Sequence, residues 1–494
     1  MQFCKQLVLF YRMRQITLQL LFCCFCVIAD IKILACKPLP FSDSLPAPAT
    51  AQSDSFLIRN IFVDCNKRTL DRIILRELAY QPGDKIAKEN IQVTLQKEAS
   101  KIFNTNLFVL AEVFYFPVAG DTIDLIVAVM EKWYLYPIPY VELADRNFNE
   151  WWQQRGRDLD RLIYGIRLSQ QNVRGRNEYL KLTFQLGFTR KFEIEYNIPY
   201  IDKKQTTGLN FSFLYDNNKN LAYKTAENRL LFLRSEEVLR SRFMADLAIF
   251  KRSQFYNTHF FELRYHHYRI ADTIARLNPE YFANNTTQQK YFEVAYVFNR
   301  DLRDMANYPL KGRYLQITAL QKGLSAADDL NLFDFRIVYA QFLQLSQSWY
   351  FSTSWRGQLI LPLRVPFAEM RGFGYSSTFV RGYDLYVVDG PRYGVWKNTL
   401  RWRLFANDHF LRNVIPMEQF KSIPVAIYLK TYADAGYVDN PFVSMENKRL
   451  TNRWLIGVGT GLDLVLYNSA VLRFEYSLNR EGDKGFFFNL MTDF

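Results

Sequence analysis

The sequence predicts an all-β transmembrane barrel of about sixteen antiparallel strands, preceded by a small α+β module of order β-α-α-β-β. Three observations predict it. From about residue 131 to the end, apolar residues recur with a period of two, the signature of a strand with one greasy face. Aromatics make up 16% of the chain, with 31 Tyr and 42 Phe. Yet beyond residue 36 no apolar run approaches the roughly 18–20 residues of a spanning helix. Between residues 55 and 131 the period is instead 3.6, framed by strand-like runs.

Taken in order, the chain opens with a leader. "YRMRQ" supplies positive charge, "ITLQLLFCCFCVIA" (16–29) is an apolar run of signal-peptide length, and Val27 and Ala29 form a small-residue cleavage site. Residues 1–29 therefore read as a signal peptide, with cleavage at 29 or as late as 35. Lipid attachment at Cys36 is the alternative, weakened by Asp30 and Lys32, which interrupt the apolar segment before it. Residues 30–54 form a linker.

The module spans 55–131. "SFLIRNIFV" is its first strand, and "TLDRIILREL" is helical, with Leu70, Ile73, Ile74 and Leu78 on one face. "QPGD" (81–84) is a turn, and a second helix carries Ile91, Leu95, Ala99 and Ile102. "LFVLAEVFYF" and "DTIDLIVAVME" are two strands around "VAGD".

The barrel spans 132–494. In "EYLKLTFQLGF", Leu180, Leu182, Phe184, Leu186 and Phe188 oppose Lys181, Thr183, Gln185 and Gly187. "VAIYLKTYADAGYV" sets Val425, Ile427 and Leu429 against Tyr428, Lys430, Tyr432 and Asp434. "RWLIGVGTGLDLVLY" and "VLRFEYSL" repeat the pattern, so one face is continuously apolar while the other carries charges and glycines. Long strands of this kind fit a closed barrel, since an open edge cannot be satisfied in lipid. About seventeen stretches qualify; 228–235 is the weakest, and bacterial barrels favour even numbers, which gives sixteen. A long glycine-rich loop, 363–393, interrupts the series.

Several function classes are excluded. The net charge is +13, but basic residues are dispersed and no nucleic-acid motif accompanies them. Five of the six cysteines lie in the first 36 residues, leaving Cys65, so the mature chain is no disulfide scaffold. His259, His266, His267 and His409 lack partners at metal-ligand spacing, so no metal or other cofactor is expected. "GVGTGL" (457–462) lies inside an alternating strand with no helix after it, and its glycines are read as relieving crowding in the lumen. With no G-x-S-x-G and no catalytic constellation, the chain is not read as an enzyme.

These residues together resemble the BamA/TamA family of outer-membrane assembly and translocation barrels, also called the bacterial surface antigen family. The module is similar to a single POTRA domain, through "NKRT" (66–69), "GD" (83–84) and "NTNLF" (104–108). Cys65 stands where that family usually has glycine. "FNRDLRDMANYPLKGRYLQI" (298–317) resembles its aspartate-rich strand, "FVRGYDLYVVDGPRYG" its inward-folded loop and "YADAG" (432–436) the strand that meets it. "EKWYLYPIPYVELADRNFNEWW" (131–152) resembles the variant of Bacteroidetes-type members. The resemblance implies a bacterial outer-membrane location with the module in the periplasm. It also implies a loop contact in which Arg381 pairs with Asp434, supported by Gly382, Tyr383 and Gly436. The alternative is that Arg381 sits in a mobile external loop.

Two further readings concern the barrel's ends. Pro137 and Pro139, two apart, lack donors on one side of the first barrel strand. Facing the last strand, they would leave an under-bonded lateral seam; the alternative places both in the linker leaving the module. Phe486, Phe488, Leu490 and Phe494 share a face of the final strand and resemble an outer-membrane sorting signal, the alternative being an ordinary last strand. The function implied is assisting the folding and insertion of β-barrel proteins, by strand capture at the module and release through the seam. The alternative is a translocase secreting a dedicated partner, with a passive porin or barrel enzyme behind it. Partners expected are unfolded outer-membrane or secreted clients and outer-membrane lipids, with periplasmic chaperones or lipoproteins as further candidates, and no nucleic acid.

Overall fold

A computed structural model describes residues 54–494, apart from 146–147, 203, 205, 255, 306, 376–377, 408–424, 467–469 and 493–494. The leader, Cys36, His409 and Phe494 lie outside the described residues. The chain forms two compact units: Ile74–Met130 with the chain up to Lys67, and Glu131–Phe494 with Arg68–Ile73.

The first unit contains β1 (Ser55–Asp64), α1 (Asp71–Leu75), β2 (Lys85–Ala87), α2 (Ile91–Phe103), β3 (Phe108–Ala119) and β4 (Thr122–Glu131). Its sheet runs β2-β1-β4-β3, with β1 parallel to β4. Ile58, Ile86, Leu95, Ile102, Ile123 and Val127 bury one face of the sheet and the inner side of α2. The order is β-α-β-α-β-β, not the expected β-α-α-β-β. The added strand, β2, pairs antiparallel with Ser55–Leu57 over three residues, too few to show a period. The first helix is also shorter than the 3.6 spacing suggests, and Leu70 is exposed. Glu77 and Leu78 donate to the carbonyls of Ile74 and Leu75, tight i→i−3 bonds that end the helix. The next amide, Ala79 N–H, goes to the buried Glu98 carboxylate on α2 at 2.7 Å. Cys65 has φ 65°, a left-handed backbone that glycine adopts freely and a side chain resists by about 1 kcal/mol. The glycine usual in the resembling family thus has a conformational reason.

The second unit is a sixteen-stranded antiparallel sheet. Its first strands are β5 (Leu135–Leu143), β6 (Leu162–Val173), β7 (Glu178–Gly187), β8 (Thr189–Ile198) and β9 (Thr207–Asn218). A hairpin follows, β10 (Asn220–Ala226) and β11 (Arg229–Arg234), which pairs only within itself as a separate two-stranded sheet. This is the doubtful stretch at 228–235: it is a strand, but not one of the sixteen. The wall resumes with β12 (Arg240–Gln254), β13 (Asn257–Ile270), β14 (Gln288–Asp301), β15 (Gly312–Lys322) and β16 (Leu332–Gln344). It ends with β17 (Trp349–Leu361), β18 (Arg392–Asn407), β19 (Val425–Asp439), β20 (Trp454–Leu466), β21 (Ala470–Asn479) and β22 (Lys484–Thr492). The order runs from β22 to β5, so the first and last barrel strands are its two ends.

Burial inverts the rule for water-soluble proteins. Phe184, Leu186, Ile456, Val458 and Leu478 are exposed, while Lys430, Asp434, Asp463 and Glu475 are at most 2% exposed. The apolar parity faces out and the ionic parity faces in, as lipid outside and a polar lumen require. Outside, Trp349 stacks on Trp402 and Trp355 on Trp396, in register across β17 and β18. The connection from β17 to β18 packs against the polar inner face. Val380, Arg381, Gly382, Tyr383, Val387 and Val388 within it are all buried.

Candidate functional site: a loop contact on the barrel wall and the seam between first and last strands

Arg381 is placed by a turn whose backbone needs glycine. Gly382 has φ 92°, its N–H donates to the Asp384 carboxylate at 2.8 Å, and its carbonyl accepts from Asn479 Nδ2 at 2.9 Å. Burial pushes the Asp384 carboxyl up to about 6, against the Gly382 N–H, which favours the ionised form. The Glu475 carboxylate adds to the rise. Tyr383 is buried in an apolar cluster with Phe373, Val380, Val388, Val438 and Leu455, which fastens the loop to the wall by packing.

The guanidinium meets a prepared surface. Arg381 Nε donates to Asp434 Oδ2 at 2.7 Å and Nη2 to Oδ1 at 2.6 Å, a bidentate fork, and its backbone N–H donates to Oδ2 at 3.2 Å. Nη2 also reaches Thr399 Oγ1 at 3.0 Å and the Asn398 carbonyl at 3.3 Å. The cation lies 3.9 Å from the centre of the Tyr432 ring, and Nη1 is 3.8 Å from Glu475. Close approach depends on missing side chains. A Cβ on Gly436 would come within 2.5 Å of Val380 and 2.7 Å of Phe373, and one on Gly457 within 1.8 Å of the Arg381 carbonyl oxygen. Register puts Gly457 directly opposite Asp434.

The arrangement extends into a network that sequence reasoning did not assemble. Lys430 Nζ bonds Asp463 at 2.7 Å and Glu475 at 2.8 Å, Arg473 Nε bonds Asp463 at 3.3 Å, and Tyr308 donates to Asp463 at 2.9 Å. Tyr432 shares a 2.6 Å bond with Ser477. Parity alone places Lys430, Tyr432, Asp463, Arg473, Glu475 and Ser477 on the inner face, but only the register shows which of them meet; Tyr308 comes from the connection between β14 and β15, where no parity applies. Beside the loop, Arg336, Arg356, Arg371, Tyr375 and Tyr393 help line a cavity of about 540 Å³.

The seam is built differently. Gln171 N–H donates to the Tyr134 carbonyl and Ala144 N–H to the Arg161 carbonyl, so even-numbered residues of β5 aim their backbone groups at β6. Pro137 and Pro139 lie inside the strand, opposite Leu168 and Ile166, with their ring nitrogens turned away from β6. On β22, Asn479 N–H donates to the Asp483 carbonyl, so odd residues face β21 and the backbones of Phe486 and Phe488 face outward from the sheet. Their side chains share the lipid-facing side with Phe474, at ring distances of 6.3 and 5.2 Å. Leu490 stands opposite Leu472 in register; its side chain, like Phe494, lies outside the described residues. Two of the outward backbone groups of β22 are filled by a side chain. Asn149 Nδ2 donates to the Phe486 carbonyl at 2.6 Å, and Phe488 N–H donates to Asn149 Oδ1 at 3.3 Å. Nothing in the sequence alone pointed to Asn149, because it sits in a connection of no periodic pattern.

An apolar exterior, an ionic interior and an inward loop fixed to the wall define an integral β-barrel membrane protein. Residues 172–494 match the Omp85 superfamily domain, and the chain belongs to that superfamily. Omp85 barrels sit in the bacterial outer membrane with POTRA domains in the periplasm, and they are non-enzymatic proteins that handle client proteins in assembly or transport. No curated protein sequence matches the chain. Among solved structures it is similar to BamA from Haemophilus ducreyi lacking POTRA domains 1–3, at 15% identity over 89% of this chain and 85% of that one, with a TM-score of 0.58. It is also similar to CdiB from Acinetobacter baumannii, at 13% identity over 88% of this chain and 73% of that one, TM-score 0.49. CdiB from Escherichia coli matches at 10% identity over 92% of this chain and 94% of that one, TM-score 0.49. For BamA, at 15% identity, the likeness is one of fold.

Proposed function

We propose that this protein assists the folding and insertion of β-barrel proteins into the outer membrane, with residues 55–131 acting as a POTRA domain and the β5/β22 seam as the site of exchange. The observation that carries the reading is the placement of Pro137 and Pro139. Both missing donors fall on the side of β5 that faces away from β6, so that edge offers fewer bonds to the last strand than an ordinary strand would. A wall weakened at one junction opens there first, and an opened strand edge binds another strand by augmentation. The module offers a second edge of the same kind. β3 ends its sheet, and Phe114, Phe116 and Val118 along it are exposed. In this reading the Arg381–Asp434 contact holds the loop against β18–β21 while the junction of β5 and β22 yields.

The test is folding in liposomes. The mature protein, with and without Arg381→Ala, is reconstituted, and insertion of an unfolded outer-membrane barrel is followed by its heat-modifiable gel shift. Acceleration by the wild type and not by the variant is the expected result. No acceleration with any of several clients would overturn the reading in favour of a translocase for a dedicated secreted partner.

A further inference from the structure

The edge of β22 is occupied from within the chain. The Asn149 carboxamide bonds a carbonyl and an N–H that belong to alternate residues, Phe486 and Phe488, both turned away from β21. In a parallel ladder one residue makes the same pair of bonds, accepting from one neighbour residue and donating to another two positions away. The side chain therefore imitates a single residue of an added strand. It is also firmly presented. Asp145 accepts from Arg161 Nε at 2.8 Å and Nη2 at 2.6 Å, Arg155 bonds Glu150 at 2.8 Å, and Trp151 Nε1 donates to the Asp158 carbonyl at 2.9 Å. Asn149 itself is buried.

We propose that Asn149 is a built-in surrogate strand, capping the β22 edge at the end of the barrel farther from the module's point of attachment, and that it is displaced when an extended polypeptide pairs there. This rests on the reading of the seam as a strand-accepting edge. The occupant it gives way to is a β-strand with an uninterrupted row of backbone donors and an apolar outer face to continue that of Phe486 and Phe488. β5 cannot fill that role itself, because Pro137 and Pro139 remove donors from the side it would present. A carboxamide offers two bonds and a strand offers a series, so the cap rejects short or irregular segments and yields to a continuous strand.

The probe is a fluorescent peptide with the sequence of β5, Leu135–Leu143, carrying Pro137→Val and Pro139→Val so that its donors are restored. Its binding to the full chain in nanodiscs is compared between wild type and Asn149→Ala, together with deuterium exchange at the Phe488 amide. About tenfold tighter binding and faster Phe488 exchange in the variant are expected, from removal of two competing hydrogen bonds. Equal affinity, or unchanged exchange, would overturn the proposal. Should Asn149→Ala lose its heat-modifiable gel shift, Asn149→Gln takes its place: it keeps the amide but moves it by one methylene, and the same gain in affinity is required. Client folding is scored separately. A tenfold gain in peptide binding with no client folding by any form sinks the insertase reading and leaves the cap standing. Client folding by wild type with no change in peptide binding sinks the cap alone.

Discussion

Two regions of one barrel sheet are bonded in opposite ways. Around Arg381 the guanidinium is held by a bidentate carboxylate, a hydroxyl, a carbonyl and an aromatic face, within a wall whose neighbours Lys430, Asp463, Arg473 and Glu475 are tied to one another. At the seam, two donors are missing from β5, and two groups of β22 are held by one side chain. Cooperative ionic contacts in a confined lumen resist partial opening, because breaking one strands a buried charge. A ladder short of bonds opens at little cost. The difference assigns rigidity to β18–β21 and lability to the junction of β5 and β22.

The largest effect is expected where the comparison is sharpest. Arg381→Ala leaves Asp434 buried and without its cation, a loss of about 3–5 kcal/mol in the dry limit and less where water enters the lumen. A lowered unfolding temperature in detergent, with loss of client folding, is the expected outcome. Arg381→Lys keeps the charge but not the fork, and should recover only part of the loss. In a double-mutant cycle with Asp434→Ala the two losses should fall well short of additive; full additivity would show that the contact carries no coupling.

Gly436→Ala and Gly457→Ala test the same contact without touching charge. The added methyl would meet Phe373 and Val380 in the first case and the Arg381 carbonyl in the second. Overpacking of this kind costs about 1–3 kcal/mol, with Gly457→Ala the more severe because backbone cannot rotate away. Thermal unfolding should rank the variants in that order, and a wild-type transition for Gly457→Ala would contradict the loop's position.

These glycines also show what was legible in the sequence. Period-two alternation placed the strands and put Asp434 on the inner parity, because alternation depends only on neighbours along the chain. Arg381 lies in a loop that does not alternate, and its pairing with Asp434 was implied by the family resemblance alone. Knowing that Gly457 faces Arg381, or that Lys430 bridges Asp463 and Glu475, requires the register between strands, which is fixed by turns and packing far away in sequence. Short elements escaped for a related reason. β2 has three residues, and the β10–β11 hairpin alternates like a wall strand yet pairs elsewhere. Asn149 belongs to neither pattern, and its partner lies 337 residues away.

The seam should respond in the opposite sense. Pro137→Val with Pro139→Val restores donors toward the last strand, each worth about 1 kcal/mol once paired. The unfolding temperature should rise while client folding slows, the reverse of the Arg381→Ala result in stability but the same in activity. A variant that gains stability and keeps full activity would separate the seam from function, and would leave the rigid wall as the only part the comparison explains.

The smallest effect is a pH dependence confined to the loop. Asp384 lies in the inward loop, not in a spanning strand, and burial holds its carboxyl at about 6, above its ordinary 3.8. The folded state therefore keeps a proton that the unfolded chain releases, so stability is greatest at low pH and declines as pH rises from about 4 through 6. Above that window the carboxylate is ionised in both states and the contribution is flat. Between pH 5 and pH 7.5 the difference amounts to roughly 1 kcal/mol, read as a higher unfolding temperature at pH 5. Asp384→Asn cannot ionise and should abolish that difference while keeping an oxygen to accept the Gly382 N–H. If the slope persists in the variant, the proton resides elsewhere. If it vanishes, the loop holds more tightly in mildly acidic surroundings, while the seam, whose bonds involve no titrating group at Pro137, Pro139 or Asn149, does not change with it.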